Sequence, residues 1–166
     1  LLATAGIKGW GSYQQSVQSE KSETFAAAFE LSEAGKTDEA QTKLESLSSE
    51  DDGYGTLARF EQARMLSDKG DTSAAVKIWD DIAKSDPPIQ KLKDVASLLA
   101  AMHLVEDGDI TDVKQRLASL SVAGAPFRFS ALELQALVAL REGDNAAARA
   151  FFQQLADDTE APNGIR

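Results

Sequence analysis

Four glycines, Gly35, Gly70, Gly108 and Gly143, divide the chain at intervals of 35, 38 and 35 residues. A period of that size marks a repeat architecture, in which small supersecondary units stack to share one core. The neighbouring residues keep step with it. Five residues after each Gly stands Ala40, Ala75, Val113 or Ala148, nine after stands Leu44, Trp79, Leu117 or Phe152, and twelve after stands Leu47, Ile82, Leu120 or Leu155. Seven before stands Ala28, Ala63, Ala101 or Ala136, and four before stands Leu31, Leu66, Leu104 or Ala139. Offsets of five, nine and twelve lie on one helical face. The composition agrees: 27 Ala and 18 Leu in 166 residues, with few Val, Ile, Tyr and Trp, favour helix over strand.

The physical unit follows from this pattern. A helix ends at Gly, which takes the left-handed cap conformation at little steric cost. Thr37, Asp71, Asp109 or Asp144 then caps the next helix. The small residues on either side of the turn let two antiparallel helices approach closely, and the large residue wedges against the next hairpin. Trp79 is therefore expected to be buried between the second and third repeats. Pro87, Pro126 and Pro162 are expected to end the second, third and fourth hairpins.

This pattern resembles the tetratricopeptide repeat, over roughly residues 17 to 162. It departs from it where the usual Trp of each first helix is missing, and in three extra residues around Asp86-Pro87-Pro88. The resemblance implies an all-α, right-handed solenoid of about four helical hairpins. It also implies that residues ten and six before each Gly face a concave groove: Phe25 and Phe29, Phe60 and Arg64, Leu98 and Met102, then Glu133 and Leu137. Clamp-type repeats that hold acidic C-termini carry Lys, Asn and Arg at such offsets. The Phe, Leu and Met here suit an apolar segment instead. The alternative is that these side chains are covered within the protein.

At the N-terminus, the uncharged run Leu1 to Ile7 is followed at once by Lys8, Trp10 and Tyr13. That is the composition of a membrane–water boundary. Seven apolar residues are too few to span a bilayer, which takes about 20, and a signal peptide lacks its basic start and cleavage pattern. Two readings stay open on these residues alone: the end of a transmembrane helix cut short, or an apolar leader that folds back on the domain.

Charge and chemistry exclude several function classes. With 17 Lys+Arg against 27 Asp+Glu the formal charge is −10, a field that repels phosphate backbones, so no nucleic-acid partner is expected. The absence of Cys excludes disulfides, thiolate zinc sites and a Cys nucleophile, and leaves the compartment open. The lone His103 occupies a repeat position that is apolar in two of three equivalents, so it reads as a packing residue rather than a ligand. The acidic runs Glu50-Asp51-Asp52, Asp80-Asp81 and Asp157-Asp158 lack the spacing of a calcium loop and read as solvated charge. No phosphate-binding or dinucleotide motif and no nucleophile elbow is present. An enzyme, a cofactor and a small-molecule substrate are not expected.

The stretches GWGSYQQ, YGTLARFEQA, PFRFSALELQALVALREGD and APNGIR together resemble the YfgM-like family, ancillary subunits of the SecYEG translocon. That resemblance implies a single-pass inner-membrane protein with its repeat domain in the periplasm. Residues 1–15 would be the end of the anchor and a juxtamembrane segment, and residues 16–166 the repeat domain. It further implies a helix beyond Gly164-Ile165-Arg166, and as partners the translocon, periplasmic chaperones or exported chains. A scaffold that docks proteins and a holdase that binds unfolded exported chains are both compatible with the sequence.

Overall fold

In a computed structural model, the backbone is described for residues 2–85 and 90–162, with side chains described from residue 16 onward. Eight helices occupy these residues: α1 (Leu2–Glu33), α2 (Thr37–Ser48), α3 (Gly53–Asp68), α4 (Thr72–Ala83), α5 (Gln90–Leu104), α6 (Ile110–Ala118), α7 (Arg128–Arg141) and α8 (Asn145–Asp157). The protein is of the all-α helical-repeat class. It divides into two compact units, Leu1–Asp71 and Thr72–Arg166.

The repeat offsets become burial. Every small residue five after the Gly is inaccessible or nearly so, as are the four Ala seven before it and the four residues twelve after it. In the N-terminal unit Ala28 of α1 and Ala40 of α2 meet in one cluster with Leu44, Leu47, Ala58 and Met65. In the C-terminal unit Ala101 and Val113 do the same with Leu117, Leu120, Leu134 and Val138. Small residues at the crossing let the helix axes close in, so the larger ones behind them can interdigitate. Each fully buried Leu of this kind contributes about 1.5–3 kcal/mol.

Three of the four glycine turns close as Schellman motifs. Gly35, Gly70 and Gly143 have φ of +74°, +84° and +78°. The N–H after each reaches back to the carbonyl of Leu31, Leu66 or Ala139 at 2.9 Å, which satisfies carbonyls left open at the helix end. Gly108 departs from the expectation, for it is not among the left-handed glycines. Its N–H donates to Leu104 O at 2.8 Å, and a Cβ there would lie 2.6 Å from Leu104 Cβ. Gly is required at this turn for space rather than for handedness. The guanidinium of Arg141 donates to the carbonyls of Gly108 and Val105, at 2.6 and 3.3 Å.

The caps are also corrected in one place. Asp109 and Asp144 accept from Asp112 N–H and Ala147 N–H, each at 2.9 Å. Thr37 does not cap α2. It stands two residues after its Gly rather than one, so it falls inside the helix, and the cap position is held by Lys36, which supplies no oxygen. Pro126 lies in a turn just before α7, and exposed Pro162 follows the end of α8. Pro87, the insertion around it and Gly164–Arg166 lie outside the described residues. Helix α1 runs unbroken across the expected boundary at residue 15. Among the described residues no helix is long and apolar enough to cross a membrane.

Candidate docking faces

In the N-terminal unit, Phe25 and Phe29 lie one turn apart on α1, and Phe60 and Arg64 one turn apart on α3. Phe25 packs against the Ala28–Leu44 cluster and is half-buried, as is Phe60. Phe29 is 44% exposed. Arg64 is not an open docking cation. Its guanidinium holds Glu61 with two bonds, of 3.0 and 2.6 Å, and also bonds Asp68 at 2.7 Å and Ser32 Oγ of α1 at 2.7 Å. Glu33 of α1 stands 3.2 Å away. The Glu61 hydrogen bonds raise the Arg64 pKa most, burial opposes them, and the charges of Glu61, Asp68 and Glu33 add to the rise. The reason for the network is Glu61, which is 5% exposed. A carboxylate that far from water needs a bidentate cation.

In the C-terminal unit, Met102 of α5 and Leu137 of α7 are exposed, with Leu140 beside the latter on α7. Leu98 sits instead in the buried cluster of Ala101, Val113, Leu117 and Leu134. It faces inward, packed among residues of α6 and α7. Glu133 is exposed. Taken by repeat position, the residue six before each Gly is accessible in every repeat. It is Phe29, Arg64, Met102 and Leu137, three of them apolar. The position ten before is not uniform.

The remaining sequence candidates have structural partners. His103 stacks on the indole of Trp79, with ring centroids 4.8 Å apart and planes inclined by 27°. Trp79 is buried, as its repeat position requires. Five residues of the acidic runs are ion-paired rather than simply solvated, among them Glu50 with Lys21 at 3.1 Å and Asp81 with Lys77 at 3.3 Å. Asp52 caps α3 through Gly55 N–H and takes Lys21 of α1 at 2.7 Å. Asp80 takes Arg116 of α6, and Asp158 takes Arg128 of α7 at 2.7 Å. Among the described residues no group of three or more His, Asp or Glu is placed to share a metal ion. Phe152 was expected to be a wedge and is 40% exposed, whereas its equivalents Leu44, Trp79 and Leu117 are buried. Those three are each followed by the first helix of another repeat, and α8 is the last described helix.

Sequence reasoning found the periodic positions and missed the ion pairs. Lys21–Asp52, Arg64–Glu33 and Arg116–Asp80 join residues 31, 31 and 36 positions apart, and no local spacing signals them.

Paired helices closed by glycine turns, with an accessible side chain repeated at one position of each first helix, define a helical-repeat interaction scaffold. The chain belongs to the tetratricopeptide repeat-like domain family, whose profile matches residues 1–164. Repeats of this kind are typically non-catalytic platforms for protein–protein interaction. Comparisons with curated proteins and with solved structures gave no match.

Proposed function

We propose that this protein is a non-enzymatic docking scaffold, tethered to the periplasmic side of the inner membrane, that associates with the protein translocon and periplasmic chaperones. The observation that carries the docking part is the exposure of Phe29, Met102 and Leu137 at one repeated position. Large apolar side chains at the same position of successive first helices offer a partner a repeated apolar contact, as binding surfaces of repeat proteins do. The tether is supported by the sequence, in which the apolar run Leu1 to Ile7 meets Lys8, Trp10 and Tyr13. The translocon association rests on the family resemblance of the four sequence stretches.

The test combines two measurements on the same variants. Phe29→Glu and Met102→Glu are expected to keep the thermal midpoint, because both side chains already face water, and to lose cross-linking to translocon subunits in membranes. Cross-linking that persists in both variants sinks the docking reading. Suppression of aggregation of a model unfolded protein, lost in the same variants, would favour direct binding of exported chains over scaffolding.

A further inference from the structure

We propose that the Phe29 face of the N-terminal unit takes a cationic amphipathic segment, a partner peptide presenting an apolar side chain flanked by Lys or Arg. The proposal rests on the docking reading above and adds the sign of the partner's charge to it.

The argument starts from one guanidinium. Arg64 bonds Ser32 Oγ and stands 3.2 Å from Glu33, so the Arg64 turn of α3 lies against the Ser32–Glu33 turn of α1. Phe60 is one turn before Arg64, and Phe29 is one turn before Glu33. The exposed aromatic therefore borders the ion cluster. That cluster sets one cation against Glu33, Glu61 and Asp68, a formal balance of −2. Glu33 and Asp68 keep side-chain exposures of 59% and 62%, so their charge reaches the solvent beside the apolar patch.

The wider unit has the same sign, with 7 Lys and Arg against 13 Asp and Glu in residues 1–71. An acidic segment meets repulsion here, and an uncharged one gains only apolar burial. A segment with Lys or Arg next to its apolar anchor gains both. Charges at such a rim act mainly on encounter rate and on discrimination between partners, and they are screened beyond about 8–10 Å at ordinary salt.

The experiment uses the whole chain and three dye-labelled synthetic helical peptides that share one Leu/Phe stripe. Their polar faces carry Lys and Arg, Glu and Asp, or Ser and Gln. Fluorescence anisotropy is expected to rank the cationic peptide at least about tenfold tighter than the acidic one, with the gap closing as salt is raised. Phe29→Ser is expected to weaken the cationic and uncharged peptides alike. Glu33→Gln combined with Asp68→Asn leaves the Glu61–Arg64 pair in place and brings the cluster to neutrality. That double variant is expected to weaken only the cationic peptide.

Equal affinity for acidic and cationic peptides, still dependent on Phe29, overturns the charge inference and leaves the docking reading standing. No binding by any peptide at an unchanged thermal midpoint overturns both. A dimer in sedimentation that disappears in Phe29→Ser also overturns the proposal, with a second copy of this chain as the occupant.

Discussion

The indole of Trp79 on α4 lies stacked against the imidazole of His103 on α5, 4.8 Å between centroids. Trp79 is 2% exposed, and its Nε1 has no hydrogen-bond partner among the described residues. The side chain thus acts through its volume and its face, with no polar bond to lose.

Replacement by Ala is expected to cost about 3–5 kcal/mol, the range for emptying a buried aromatic site. Trp79→Phe is expected to cost less, since it keeps an aromatic face, leaves a smaller cavity and breaks no polar bond. Urea midpoints of the two variants check this. A Trp79→Phe loss as large as that of Trp79→Ala would contradict the account in which the aromatic face carries much of the packing.

Gly143 and Gly108 should respond differently to Asn. At Gly143 φ is +78° and a Cβ would meet nothing within 4 Å, so Ala costs about 1–2 kcal/mol of left-handed strain. Asn, which tolerates that region, costs less. At Gly108 the obstacle is Leu104, 2.6 Å from the added Cβ, and Asn brings no relief over Ala. Thermal midpoints of the four variants decide it, and a rescue by Asn at Gly108 would contradict the steric account.

Arg116 ties α4 to α6 through Asp80 and also holds Asp112 on its own helix at 2.9 Å. Its side chain is 16% exposed and that of Asp80 22%. The hydrogen bonds to Asp80 raise the Arg116 pKa most, burial opposes, and Asp112 adds to the rise. Arg116→Met is expected to cost about 1–3 kcal/mol, the range for losing hydrogen bonds to charged groups. Arg116→Lys should recover only part of it, because an ammonium cannot make the forked contact. Full recovery with Lys would reduce the fork to a simple charge pair.

Asp52 gives a pH dependence. Partial burial disfavours its charge, but the bonds from Lys21 and from the Gly55 and Tyr54 N–H groups outweigh that, and its pKa lies below the ordinary 3.8. A depressed folded-state pKa stabilises above the unfolded value, and the benefit fades as pH falls through the folded value. The stability gap between the parent and Asp52→Asn should thus be full at neutral pH and shrink below about pH 4. Thermal midpoints from about pH 2 to about pH 7 test it. A gap that widens in acid would reverse the sign of the coupling.

Phe152→Ser is expected to change stability by less than about 1 kcal/mol, as for most surface substitutions. Leu117→Ala at the equivalent position should cost about 2–5 kcal/mol. The two differ because Leu117 is covered by α7 residues such as Ala131 and Val138, whereas Phe152 is 40% exposed. A large loss at Phe152 would mean that its ring is covered in solution.

The repeat was legible because it is written in residue size at fixed spacing. Ala28, Ala63, Ala101 and Ala136 could be placed at helix crossings from periodicity alone, and all four are fully buried. The exceptions share a cause, which is that the neighbours of a position decide its environment. Leu98 is enclosed although Met102, one turn on, is open. Gly108 keeps the spacing of the other turns but not their backbone. At the candidate face, the aromatic positions could be named from the sequence. The neutralisation of Arg64 was legible only in part, from Glu61 and Asp68 at ion-pair spacing on the same helix; the Glu33 contact across the helix pair and the burial of Glu61 were not.

Within each unit the helices pack on those next to them in sequence, with α1 on α3 and α5 on α7 as the longer reaches. This locality has a kinetic side. Among the described residues these contacts close loops of about a helix and two turns, so little chain entropy is spent before packing begins to return it. Chains with such low contact order fold in microseconds to milliseconds. Either unit can begin to assemble as soon as its own helices have formed, without waiting for residues at the far end of the polypeptide.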